Sequence, residues 1–589
     1  RDKLVYHGFV PLIATCVADD WRRGPNECEM LNEFNASGCL MNQASLQASS
    51  KRVLVIGAGP VGLVAAIDLA QRGIPVTVIE RRATPHAETV RCNHIAARTM
   101  EIFRRLGFAN RVRGAGFRDD FPHDVAIRLH ATGQDMGRIP IPGRLGRQRG
   151  DSGADTGWPT LEPPHRMNQM FLEPILHGIA VDTPHLELLL NTELLELEDD
   201  ADEVRATVRT GSEAARTLQA AYLIGCDGGG SLVRKHIGAK LEGDAMIQHV
   251  QSSFIHAPGL TQMMQGGEAW GILNINRKRC GTIYTIDNDD RFLVHNYVLP
   301  GETFESVDRD ACLRTILGVG PEFAYTVLRV EDWTGKRLMA TKMAQGRVFL
   351  AGDSAHLWVP MAGYGMNAGI ADATGLTWIL AGVLQGWLKP SALQAYQAER
   401  WPITEQVSQQ AMRTAEIMIK NRAAVPDNIE DNNPEGEAAR AWYGAQTAAL
   451  NTPQYCCAGL NFGYFYDRSP IVVYDDEAPP AYGMADYTPS TVPGCRFAHR
   501  VMDDGSSLYD HLGPGYTLVR VGQAQASNLQ QAAARVGLPL TVLDIPPSDL
   551  HRHALYLVRP DQHVAWRGHT DPVDAAGIIH TLTGHAMAA

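Results

Sequence analysis

Residues 53 to 70 read Val53-Leu54-Val55-Ile56, then Gly57-Ala58-Gly59-Pro60-Val61-Gly62, then Leu63-Val64-Ala65-Ala66-Ile67-Asp68-Leu69-Ala70. An apolar run, a glycine turn and an apolar helical pattern in that order predict a strand, a tight turn and a helix packed back on the strand. Gly57 permits the turn, Gly59 lets the backbone approach a pyrophosphate, and Gly62 lets the helix lie close to the strand. The first N–H groups of that helix, from Val61 onward behind Pro60, then face phosphate charge. A second apolar run, Val76-Thr77-Val78-Ile79, ends in Glu80 and Arg81. Glu80 lies 23 positions after Gly57, near the roughly 20-residue spacing at which a carboxylate takes a ribose hydroxyl pair. A glycine turn alone could merely close a fold, but Glu80 at the strand end makes it a dinucleotide site.

Three further segments extend the site: Arg91, then Cys226-Asp227-Gly228 after the strand Tyr222 to Gly225, then Gly352-Asp353 after Val348 to Ala351. Together with the first they describe one binding site for FAD. The last continues as Pro360-Met361-Ala362-Gly363-Tyr364-Gly365-Met366-Asn367. A glycine-containing turn entering a helix at about Asn367 presents free N–H groups, which suit negative charge on a reduced flavin ring.

The 589 residues predict roughly three to four domains. The 65 acidic against 53 basic side chains give a net charge of −12, which does not invite nucleic acid. The absence of any apolar stretch of 18 or more residues predicts a soluble, non-membrane protein. Ten cysteines without a C-x-x-C pair or a spaced framework read as reduced thiols in a cytoplasmic protein, with no metal site. Residues 1–48 read as a non-core extension, a leader or a mis-assigned start, with Met41 a natural first residue.

The pattern predicts an α/β and α+β organisation. An FAD-binding domain over 49–425 is interleaved with a β-sheet substrate domain over about 115–195 and 240–340. A Pro-, Asp- and Asn-rich helical linker occupies 426–488, and a small βαβ-like unit resembling a thioredoxin-like domain occupies 489–589. The loop after its first strand, Gly522-Gln523-Ala524-Gln525, has no cysteine, which excludes thiol redox chemistry there. Strand runs around Tyr284 and His295 read as a roof over a pocket, where these rings either meet a substrate or serve as core.

With these residues in view the chain resembles the single-component flavoprotein aromatic hydroxylases of the para-hydroxybenzoate and phenol hydroxylase type. The resemblance covers about 50–589 and is nearest to phenol, 2,4-dichlorophenol and 3-(3-hydroxyphenyl)propionate hydroxylases. It implies a Rossmann-like FAD fold, NAD(P)H as co-substrate, O2, a small aromatic substrate and a homodimer. It implies hydroxylation through a flavin C4a-hydroperoxide. By the same resemblance Arg91 meets the FAD ribose and pyrophosphate, Asp227 contacts FAD and NAD(P)H, and Asp353 takes the ribityl chain. Gly352, Pro360, Gly363, Gly365, Met366 and Asn367 border the flavin, and Gln169 either lies near it or caps a helix. Val359 and Ala362-Gly363 depart from the family's Pro and Gly-Gly. No second glycine turn appears, so NADH and NADPH are not distinguished. His94, three residues after Arg91, is the candidate base for a phenol, against a structural histidine at a helix start; Asn93 is an alternative holder of a ring hydroxyl. The alternatives are an epoxidising or Baeyer–Villiger polyketide-tailoring oxygenase on the same fold, and a non-catalytic flavin- or aromatic-binding protein.

Overall fold

Val53–Ile56 is apolar at every position and fully buried, as a strand covered on both faces requires. It lies inside a six-stranded sheet ordered Ala344–Gln345, Val348–Leu350, Tyr222–Gly225, Val53–Ile56, Val76–Ile79, Leu186–Leu189. All neighbours are parallel except the first pair. The computed structural model describes residues 51–84 and 90–585, without the side chains of 245–247 and 362; the expectations for residues 1–48 fall outside them. The helix after the turn is Pro60–Gln71, with proline in its first turn, where the missing N–H costs nothing. It packs against the long helix Gly365–Gln385, whose Thr377 hydroxyl bonds the buried Asp68.

The second layer is an eight-stranded sheet, with order His356–Leu357, Thr326–Ala340, Leu241–His256, Arg291–Tyr297, Gly281–Thr285, Gly271–Asn274, Val125–Arg128, Asp135–Ile139. Alternation gives it two different faces. Ile283 and Val294 pack with Leu313 and Ile316 of the helix Arg309–Leu317, while their neighbours Tyr284 and His295 face the cavity described below. The segment expected at 115–195 divides between layers. Val125–Arg128 and Asp135–Ile139 join the roof sheet, whereas Leu186–Leu189 extends the parallel sheet.

The segment read as a linker at 426–488 carries the helix Pro434–Tyr455, capped by Asn433, which accepts from Gly436 N at 2.8 Å. This helix lies directly on Asp135–Ile139, where a Cβ on Gly137 would stand 2.6 Å from Gly444 O. Two glycines thus permit the close crossing. The C-terminal sheet runs Leu540–Ile545, Tyr516–Val521, Leu555–Val558, Val564–Gly568. Its first pair is parallel and the rest antiparallel, with helices Ser527–Arg535 and Ala575–Leu582, a thioredoxin-like arrangement.

Candidate active site

A cavity of about 1290 Å³ opens between the parallel sheet, the roof sheet and the helix Pro434–Tyr455. A pocket for one drug-sized ligand holds roughly 300–1,000 Å³, so this volume admits a large cofactor together with a substrate. Gly57 has φ +104°, and a Cβ there would overlap Cys226 O. Gly62 is equally closed, against Gly57 O. Gly59 lines the cavity with nothing within 4 Å of where a Cβ would stand, so its backbone is open to a ligand. Pro60, Val61 and the exposed Arg81 also line the cavity.

Glu80 stands at the end of Val76–Ile79, where its Oε2 accepts from Ala58 N at 2.8 Å and its Oε1 from Arg82 N at 2.9 Å. Burial raises the pKa of this carboxyl, but the hydrogen bonds of Arg82 and Ala58 outweigh it and hold the group below the usual range. Asp353 follows Gly352, whose φ is +64°, and presents an exposed side chain on the cavity wall. Asp227 borders the cavity while accepting from Ser231 Oγ at 2.5 Å and Leu232 N at 2.7 Å, so it also braces the short helix Leu232–His236. Arg91 is half exposed and 4.0 Å from Glu331. Gln169 begins the helix Gln169–Asp182 and lines the cavity; the cap is Asn168, which accepts from Met170 N at 2.9 Å.

Pro360, Gly363, Gly365 and Met366 lie on the cavity wall, and the helix starts at Gly365, two residues before the expected point. The Asn367 side chain does not join them. Its Oδ1 accepts from Ala96 N at 2.9 Å and Thr99 Oγ1 at 2.7 Å, and its Nδ2 donates to His94 O at 3.0 Å and Gly363 O at 2.8 Å. Asn367 is a clamp holding the His94 strand to the turn before the helix. These features fit FAD: an open backbone at Gly59 before a helix N-terminus, carboxylates at two strand ends, and a second helix N-terminus on the cavity wall.

His94 is on the cavity wall, but the expectation of a base titrating near neutrality needs correction. Arg166 Nη1 donates to His94 Nδ1 at 2.5 Å, which fixes the ring proton on Nε2. Burial, then the charge of Arg166, pushes the His94 pKa well below its ordinary value. His94 is therefore a neutral N–H donor. Asn93 Oδ1 accepts from Asn168 Nδ2 at the cavity edge. Tyr284 and His295 both face the cavity with ring centroids 6.0 Å apart. The Tyr284 hydroxyl lies 3.4 Å from that of Tyr455, and burial pushes its pKa up to about 12. His295 Nδ1 meets Ser252 Oγ at 2.7 Å, and burial lowers its pKa to about 4.

Sequence reasoning missed Arg166, Trp270 and Tyr455, all on the cavity wall. Arg166 had a signal, since it stands three residues before Gln169, but no pattern reveals that its guanidinium lies over an indole. Tyr455 sat in a stretch that read as linker. Among the described residues no cluster of three or more His, Cys, Asp or Glu could hold a metal, and no helix is long and apolar enough to cross a membrane.

A family profile described as FAD binding domain matches residues 50–411, and another described as aromatic-ring hydroxylase, C-terminal, matches 490–586. The FAD-dependent monooxygenase apdD of Emericella nidulans is 29% identical, covering 91% of this chain and 91% of its own length. The 2,4-dichlorophenol 6-monooxygenase of Cupriavidus pinatubonensis is 30% identical over 89% of this chain and 94% of its own. The rebeccamycin biosynthetic enzyme RebC, solved with reduced flavin, aligns with a TM-score of 0.82 at 29% identity, covering 91% of this chain and 99% of that one.

Proposed function

This chain belongs to the FAD-dependent aromatic-ring hydroxylases, single-component flavoprotein monooxygenases, and from that premise we propose that it hydroxylates a phenolic ring with NAD(P)H as hydride source and O2 as oxidant. The observation that carries the reading is that one cavity joins the dinucleotide turn at Gly57–Gly62 to an aromatic roof containing Tyr284, His295 and Trp270. Bound FAD supplies hydride acceptance and oxygen activation. The chain supplies the rest. Gly59 and the N-terminus of Pro60–Gln71 receive the pyrophosphate, Glu80 the ribose hydroxyls and Asp353 the polyol chain. The N-terminus of Gly365–Gln385, on the cavity wall, would offer N–H groups to negative charge on the flavin ring. The roof excludes water, and the His94 N–H meets an oxygen on the ring.

Homodimeric assembly, cytoplasmic location and the four-part domain division rest on the sequence pattern and the resemblance, and belong to the same proposal. A second reading, epoxidation or Baeyer–Villiger tailoring of a multi-ring substrate, is favoured by the cavity's polar far wall of Asn421, Arg422, Thr447 and Asn451. The test is a panel of phenols and polycyclic phenols, scored by acceleration of NAD(P)H oxidation and by product structure. A ring hydroxyl supports the first reading, and an epoxide or an oxygen inserted beside a carbonyl the second. FAD-loaded protein whose NAD(P)H oxidation responds to no aromatic compound would overturn both.

A further inference from the structure

The cavity wall carries a charge to which none of these roles gives a counterpart. Arg166 is 2% exposed, lines the cavity, and stacks its guanidinium 4.3 Å from the Trp270 ring. Nη1 donates to His94 Nδ1 at 2.5 Å and Nη2 to Tyr455 O at 2.8 Å. Nε is buried without a hydrogen-bond partner among the described residues, and none of their carboxylates forms an ion pair with Arg166. Both groups that it does meet are neutral.

The surroundings do not cancel the charge. Asp155, a carboxylate that acts on Arg166, is held by Arg147 at 2.7 Å, so that pair is already balanced. Burial pushes the Cys456 and Cys457 thiols up to about 12 and that of Cys92 up to about 11. Burial likewise raises the Tyr284 and Tyr455 phenols and lowers the His94, His123 and His165 imidazoles. All of these groups are neutral near pH 7. A buried cation with nothing opposite it is destabilising and calls for a partner of opposite charge.

We propose that Arg166 is the anion-binding residue of the substrate half of the cavity, and that it receives a negatively charged oxygen carried by the aromatic ring, a phenolate or a ring carboxylate. The His94 N–H, fixed by Arg166 itself, is a second donor to the same oxygen. The inference rests on the aromatic-substrate reading above and narrows it: the site selects the ionised form of its ligand. A phenol then binds more tightly as pH rises through its own pKa, with no wall group needed to take its proton.

The experiment uses FAD-loaded protein without NAD(P)H, and three probes of similar shape: 4-nitrophenol, 4-nitrobenzoate and the uncharged 4-nitroanisole. Binding is read from the perturbation of flavin absorbance across pH 6 to 9. Wild-type protein is expected to bind at least one anion about 10- to 100-fold more tightly than nitroanisole, as a hydrogen bond to a charged group implies. Preference for the phenol identifies a phenolate site and preference for the benzoate a carboxylate site. Arg166→Met should bring the three probes within about threefold of one another, and Arg166→Lys, which keeps the charge but not the stacked planar fork, should retain only part of the preference. Nitroanisole binding as tightly as both anions in wild type, or a folded, FAD-loaded Arg166→Met protein that keeps the preference, overturns the proposal. If Arg166→Met does not retain FAD, the wild-type pH profile decides. Nitrophenol binding that is as flat with pH as nitroanisole binding, together with nitrobenzoate binding no tighter than nitroanisole, overturns the proposal; nitrophenol tightening with pH or a nitrobenzoate preference supports it. Because no turnover is measured, anion binding without hydroxylation would count only against the function, and hydroxylation without anion preference only against Arg166.

Discussion

At the residue scale two glycines in one turn make opposite predictions. A methyl group on Gly57 meets Cys226 O and requires an alanine at φ +104°, so Gly57→Ala should lower stability by about 2 kcal/mol or more. Gly59 has φ −72° and open space ahead of it. Gly59→Ala should leave the stability of FAD-free protein within about 0.5 kcal/mol and weaken FAD at least about tenfold, because the methyl occupies the cradle. Urea unfolding of both apo proteins and FAD titration of the second check this; undiminished FAD affinity in Gly59→Ala removes the pyrophosphate from that place. His94 yields another prediction. As an N–H donor it should be replaced better by Gln than by Ala, with Ala lowering product formed per NAD(P)H consumed and releasing more hydrogen peroxide. Neither variant should move a pH break near 6.5, since the wild-type ring does not titrate there; a break that disappears in His94→Ala would restore the base assignment. The turn was legible because Gly57 and Gly62 answer steric demands of the turn while Gly59 leaves its backbone open to a ligand. The His94 tautomer was not, because it is set by Arg166, 72 positions away.

At the scale of elements, the short antiparallel pair His94–Ile95 and His165–Arg166 places His94 on the cavity wall and buries His165 away from it, where His123 meets His165 edge-on at 6.2 Å. Burial is the main cause that lowers the pKa of His94, His123 and His165, the last to about 3, and of His295 on the roof, to about 4. The unfolded chain takes these protons first, near pH 6.5, so the stability contributed by neutral burial is complete above 6.5 and is lost as pH falls toward the folded values. Each histidine adds at most about 1.4 kcal/mol per pH unit to that slope. Glu80, Glu101 and Asp68 have pKa values lowered from 4.5 or less, so their losses begin at more acid pH. The interval from 6.5 to 4.5 therefore belongs to the histidines. Urea midpoints of FAD-saturated protein should fall through it, and His123→Phe, which keeps a flat ring beside Phe117, should make the fall shallower. An unchanged slope in that variant would count against the argument. The strand runs around Tyr284 and His295 matched two strands of this wall, Gly281–Thr285 and Arg291–Tyr297. Periodicity gave no sign that the helix Pro434–Tyr455 closes the cavity, because a Pro- and Asp-rich approach reads the same whether the helix beyond it packs on a sheet or not.

At the scale of the whole molecule, the C-terminal unit is bound to the rest by buried charge. Arg559 Nη1 and Nη2 reach Glu399 at 2.6 and 2.8 Å, and Arg559 also meets Asp561 at 2.6 Å. Arg496 pairs with Glu101 at 2.5 Å on the helix Ala97–Arg105, which follows the His94 strand. The order of strands and helices in this unit was readable from alternation and turns, and so was the lack of a thiol in its first loop. The clamp was not, since Glu399 and Arg559 are 160 positions apart and each alone reads as an ordinary surface charge. Position in the fold decides what each pair is worth. Removing one partner of a buried pair leaves the other charge stranded, at a cost of about 3–5 kcal/mol, whereas a surface pair contributes about 0–1 kcal/mol. Arg559→Met should therefore be strongly destabilising. Arg520→Met, in the same unit and paired with the exposed Asp544, should be nearly neutral. Cys495→Ser should leave turnover intact, because this thiol is buried, its pKa is raised to about 11 mainly by burial, and no second sulfur stands in the adjoining loop. Thermal unfolding of the two arginine variants and steady-state turnover of the serine variant check the three. Equal stability of the arginine variants would mean that the clamp does not hold the unit in place, and a large loss of turnover in folded, FAD-loaded Cys495→Ser would return a chemical role to the C-terminal unit.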